Sequence, residues 1–77
     1  MERFEISVTK NNELLHFEIA NYMHHNDRCK FEVFKEGKFI AAFEPDHYGY
    51  LHVCKNPGEL DEDTLHLIAD RLEASGL

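Results

Sequence analysis

Phe4, Ile6 and Val8 alternate with Glu5, Ser7 and Thr9, and after Asn11-Asn12 the alternation resumes in Leu15, Phe17 and Ile19 against His16 and Glu18. Period-two alternation on both sides of an asparagine pair predicts a β-hairpin, with strands over about 3–9 and 14–23. Asparagine tolerates the positive φ that both central residues of a two-residue type I′ loop require, so Asn11-Asn12 is expected to form that loop. The facing pairs are then Val8/Leu15, Ile6/Phe17 and Phe4/Ile19. Every apolar side chain falls on one face.

The stretch CKFEVFKEGKFIAAFE predicts a second hairpin, with strands over about 29–35 and 38–44. Its register depends on the turn. A two-residue Glu36-Gly37 loop forces Glu36 to positive φ. A three-residue loop avoids that cost, with Lys35-Glu36 in a type I turn and Gly37 in the left-handed bulge position. This choice sets Val33 opposite Phe39, Phe31 opposite Ala41 and Cys29 opposite Phe43. It also throws Phe34, Ile40 and Ala42 onto the other face.

Pro, Asp and Gly in EPDHYGY predict a loop, and YLHVCK predicts a fifth strand over about 50–55, with Leu51 and Val53 facing one way and Tyr50, His52 and Cys54 the other. Asn56-Pro57-Gly58 ends it, because proline lacks the N–H that a continuing ladder needs. A helix over about 62–75 follows. Asp61 supplies an N-cap side chain, two acids fall in the first turn, Leu60 and Leu65 occupy hydrophobic-staple positions, and Gly76 suits the C-terminal cap. Leu65, Ile68, Ala69 and Leu72 form one stripe, with Leu67 pointing nearly opposite.

The expected fold is α+β: a five-stranded antiparallel β-meander with one C-terminal α-helix packed on one face, in a single domain over 1–77. Five strands at about 4.8 Å spacing span about 19 Å, whereas a helix with its side chains is about 10 Å across. One helix covers that face only if the sheet coils strongly around it.

In the order FEVFKEGKFIAAFEPD, YLHVCK and LDEDTLHLIADRLEAS, the chain resembles small uncharacterised bacterial proteins made of a strand meander and one terminal helix. The resemblance implies this fold and carries no activity or catalytic residue with it.

Fifteen acidic and eight basic residues give a net charge of −7. The excess is concentrated at the C-terminal end, where residues 59–77 hold six acids and one base. No cluster of Lys or Arg follows a strand or helix face, which disfavours nucleic acid and anionic membranes as partners. Chains of this size draw only about 3–5 kcal/mol from their own core, so an added staple is expected, and a partner subunit is the simplest. No long apolar run and no leader-like N-terminus are present, and two cysteines do not make a disulfide framework, so free thiols and a cytoplasmic location are expected.

Candidate chemistry is sparse. YMHHNDRC holds adjacent histidines, an asparagine, an aspartate and a cysteine. With Met23 opposite Cys29, however, His24 to Arg28 reads as ordinary turn material, and no metal-binding spacing supports a site. His52-x-Cys54 shares one strand face. With Phe43 opposite Leu51, no carboxylate lies across from His52, and Cys54 lacks an activating group. A Cys29–Cys54 disulfide is disfavoured by strand separation. The remaining histidines, His16, His47 and His66, are scattered. No catalytic residue, metal or cofactor is therefore assigned.

The outer sheet face is the anomaly. The expected register gathers Phe34, Ile40, Ala42, Tyr50, His52 and Cys54 into a semi-apolar patch where a polar face is normal. Such a patch marks an association surface, and symmetric pairing is the commonest use. The expected function is a non-enzymatic interaction module that forms a homodimer through these six residues, with an unidentified protein partner as the variant. Ile40→Glu should then give a folded monomer. Two other classes compete. One is a small metal-binding protein or enzyme using His52, Cys54 and the His24-His25 loop; the other is an acidic chaperone-like domain that binds a basic partner.

Overall fold

The computed structural model describes residues 2–21 and 30–74. Five strands, β1 (Glu2–Lys10), β2 (Glu13–Asn21), β3 (Phe31–Lys35), β4 (Lys38–Pro45) and β5 (Leu51–Lys55), precede one helix, α1 (Glu62–Ala74). The strands form a single antiparallel sheet in chain order. The expected α+β meander is what the chain adopts. The His24–His25 loop and the Met23–Cys29 pairing lie outside the described residues.

The first hairpin forms as its alternation requires. Asn11 and Asn12 have φ of 53° and 64°, and the ladder pairs Val8 with Leu15, Ile6 with Phe17 and Phe4 with Ile19. The second hairpin departs from expectation. Lys35 pairs with Lys38, leaving a two-residue turn in which Glu36 has φ 53° and Gly37 φ 80°. The three-residue loop is therefore corrected to a type I′ turn, with Glu36 accepting the left-handed conformation.

Phe34 then pairs with Phe39, and the register shifts between Val33 and Phe34, so that Val33 pairs with Ala41 and Phe31 with Phe43. Ile40 is the extra residue of a β-bulge. The physical reason lies in the core. Running on from a two-residue turn without a bulge, Phe31 would meet Ala42, and Phe43 would point to the outer face. The inserted residue turns Ala41 and Phe43 inward, where both are essentially fully buried. Phe39 is left outside and Ile40 leans on the core, the reverse of the expected arrangement.

A second shift between Ala42 and Phe43 pairs Ala42 with Lys55 and Phe43 with Val53, making Cys54 the extra residue on β5. The expected Phe43/Leu51 pair is thereby moved by two residues. Leu51 instead faces Pro45, and His52 faces Glu44. Beyond the last pair of this ladder, the Gly58 N–H donates to the Ile40 carbonyl at 2.9 Å. Asn56 closes the same loop by bonding both ways with the Leu60 backbone, at 2.9 and 3.0 Å.

Leu65, Ile68 and Leu72 bring the buried stripe of α1 onto Ile6, Val8, Phe17, Ile19, Val33 and Phe43. Leu67 also packs against this cluster, although its position on the helical wheel sets it far from the stripe. The helix contacts both edge strands, β1 and β5, which stand at opposite ends of the sheet. A flat sheet would hold those edges too far apart for one helix. The strands are coiled around α1.

Two polar ties fix the wrap. At the β1 edge, Lys10 Nζ bonds to Asp61 Oδ2 and, at 2.8 Å, to Thr64 Oγ1, while the Thr64 hydroxyl donates to Asp61 Oδ1. Asp61 stands at the start of α1, where its backbone carbonyl accepts the Leu65 N–H at 3.0 Å, but its side chain binds Lys10 and the Thr64 hydroxyl rather than a first-turn amide, so the expected N-cap side chain serves instead to anchor the first strand. Lys10, then Thr64, hold its carboxyl below the ordinary range against a smaller opposing effect of desolvation. At the β5 edge, the Leu51 N–H donates to Glu73 Oε2 at 2.9 Å. No described helix is long and apolar enough to cross a membrane.

Candidate functional site

The six residues expected to form an outer patch are not brought together as one. Ile40 packs on the core, and Ala42 is fully buried. Cys54 is disulfide-bonded. The free thiol expected there is corrected; the chain's other cysteine, Cys29, lies outside the described residues. Exclusion of a disulfide assumed an unbroken ladder with Cys54 beside Ile40, and the bulge at Cys54 removes that assumption.

His52 and Tyr50 are exposed, but they belong to the β4–β5 connection and its start of strand. There Asp46 organises the chain. Its Oδ1 accepts the N–H groups of Tyr48 and Tyr50 at 2.8 and 2.9 Å, and its Oδ2 accepts His52 Nε2–H at 2.9 Å. Desolvation pushes the Asp46 carboxyl up, but the two amides and the imidazole outweigh it and hold the group below its ordinary value. A carboxylate therefore does orient His52, contrary to expectation. The sequence signal was an aspartate opening a Pro-Asp…Gly loop, which commonly captures amides a few residues on. The imidazole is largely in solvent, and the neighbouring Cys54 sulfur is held in a disulfide, so the pair has no thiolate to activate.

A second polar pair, Ser7 Oγ with His16 Nδ1 at 3.0 Å, lies directly across the first hairpin. The correctly expected Val8/Leu15 register already placed these two residues opposite each other. Among the described residues, no group of three or more His, Cys, Asp and Glu is arranged to hold a metal ion.

The outer face keeps one apolar corner. Phe34 and Phe39 pack with ring centroids 5.7 Å apart, and the Arg3 guanidinium lies 5.4 Å from the Phe34 centroid while pairing with Glu18 at 3.4 Å. On the adjoining strand, Leu14 is 57 % exposed. Between them opens a groove of about 460 Å³, bounded by the first half of β2 on one side and by Phe34 and the Lys35–Gly37 turn on the other. It exists because the β2–β3 ladder stops at Glu18/Phe34 while β2 begins at Glu13. The second hairpin turns back before reaching the end of the first.

No family model, curated protein or solved structure matches the chain.

Proposed function

We propose that this chain is a non-enzymatic interaction module whose contact surface is the corner of the outer face formed by Leu14, Phe34, Phe39 and the adjoining groove. The observation that carries this reading is the exposure of Leu14 beside a half-buried aromatic pair at a break in the sheet. A large apolar residue at such a break is costly to leave in water, and apolar patches rimmed by polar groups are characteristic of association sites. This surface takes the place of the six-residue patch on which self-association was expected. The expected cytoplasmic location rested partly on free thiols, and the bonded state of Cys54 removes that support.

A photo-crosslinking residue at position 14, compared with the same residue at the exposed helix position Asp70, tests the surface. Adducts formed in cell extract at position 14, suppressed by Phe39→Glu and missing at position 70, are expected. Equal labelling at the two positions would remove the assignment.

A further inference from the structure

We infer that the groove takes a short basic peptide segment in extended form, which adds as a strand to the open side of β2. This rests on the corner being a contact surface and names what fills it.

The main chain supplies the first reason. Lys10 and Glu13 flank a two-residue turn, so they form a hydrogen-bonded pair, and bonding to β1 then alternates along β2 at Glu13, Leu15, Phe17 and Ile19. The main-chain groups of the intervening residues face the other side. Those of Glu18 and Ala20 meet β3, but the ladder ends there, so the N–H and C=O groups of Leu14 and His16 face the groove. A strand laid beside them continues the position of β3 past the point where β3 turns away.

Charge supplies the second. Among the described residues, Glu5, Glu13, Glu18 and Glu36 line the groove, against Lys35 as the one cation. The Lys35 ammonium lies 5.2 Å from the centre of the Phe17 ring, and Glu18 is already paired with Arg3. This leaves Glu5, Glu13 and Glu36 as carboxylates with no ion pair among the described residues, around an aliphatic and aromatic lining that includes Leu14, Leu15 and Phe34. An incoming strand matches this setting if it alternates basic and apolar residues. Its apolar side chains would meet the lining and its basic ones the rim, in keeping with the chain's overall charge of −7.

The probe is the blocked peptide acetyl-Lys-Val-Lys-Val-Lys-amide, titrated into the uniformly 15N-labelled full chain and followed by amide shifts. Saturable shifts centred on Leu14, His16 and Gly37 are expected. The acetyl-Glu-Val-Glu-Val-Glu-amide counterpart should bind at least about tenfold more weakly, and raising the salt from about 50 to 500 mM should weaken the basic peptide severalfold. Methylating the peptide nitrogens that face β2 should abolish the shifts while leaving charge and side chains in place. Glu13→Gln with Glu36→Gln should weaken binding without altering the unliganded fold.

Equal binding of the acidic peptide, indifference to N-methylation, or shifts centred elsewhere overturns the proposal. So does sedimentation as a dimer with the Leu14 and His16 amides already protected, since a second copy then occupies the edge. If the peptide fails while position 14 still crosslinks specifically, the corner remains a contact surface and the basic strand is the wrong occupant. If crosslinking fails too, both readings fall.

Discussion

Gly58→Ala tests how the loop after β5 is seated on the sheet. A methyl group at Gly58 would lie 2.8 Å from Ile40 Cβ, 3.0 Å from the Ile40 carbonyl oxygen and 3.1 Å from Ile40 Cα. Carbon pairs are comfortable at about 3.5–4.0 Å, so the loop and the bulge must separate by several tenths of an ångström. Two of the three atoms are backbone, and no rotamer change relieves them. Crowding of this kind costs about 1–3 kcal/mol. The same separation stretches the Gly58 N–H bond to Ile40, worth about 1 kcal/mol net. Against this, alanine restricts the unfolded chain and returns about 0.4–1 kcal/mol.

The expected loss is therefore about 1–3 kcal/mol, which for a domain of this size lowers Tm by at least about 4 °C. The chain has no tryptophan, so urea and thermal unfolding are followed by far-ultraviolet circular dichroism. In an Ile40→Gly background, which removes the nearest atom, Gly58→Ala should cost measurably less, an interaction visible in the double-mutant cycle. An unchanged Tm in Gly58→Ala, or fully additive effects in the cycle, would falsify the close approach of this loop to the bulge.

Glu36→Asn should stabilise the fold by about 0.5–1 kcal/mol, because asparagine tolerates the left-handed turn position that Glu36 occupies; destabilisation in urea melts would favour the three-residue loop instead. Ile40→Glu, expected from sequence to leave the fold intact, should instead destabilise it by at least about 2 kcal/mol by forcing a carboxylate against the core, and a native-like melting curve would contradict that placement. The folded-state pKa of Asp61 lies below its usual 3.8, so its contribution is complete above that value and is lost as pH falls through the folded pKa. Asp61→Asn, which keeps the side chain's size but removes its charge, should flatten the acid side of the stability curve, and a parallel acid slope would count against the Lys10 tie. Reduction of the native protein should cost roughly 2–4 kcal/mol, as should Cys54→Ser, and alkylation of Cys54 without prior reduction would show that the bond is not there.

What was legible in the sequence was whatever neighbouring residues decide among themselves. Asn11-Asn12 and the alternation around it leave one good register for the first hairpin, because slipping by one residue would turn the apolar set of one strand, either Ile6 and Val8 or Leu15 and Phe17, to the outer face. Asp61, its acidic first turn and the Leu65–Leu72 stripe likewise determine the helix locally. Glu36-Gly37 allows two turns that differ by about 1 kcal/mol, too little for the turn residues alone to decide between them. Burying Phe43 and Ala41 opposite Phe31 and Val33 required an extra residue, and Ile40 took that place. Cys54 did the same on β5.

The candidate surface was hidden for the same reason. Phe34 was correctly placed on the outer face, but the groove beside it is made by two hairpins of unequal reach, and Phe39 lies against Phe34 only because the turn has two residues rather than three. Asp46 and His52 meet because a loop folds back on its own carboxylate, a closure that strand periodicity does not encode. Local alternation and capping thus determined strand order, the first register and the helix. The bulges, the coil of the sheet around α1 and the open corner of β2 arose only when the elements competed for one small core, since that competition involves residues far apart in the chain.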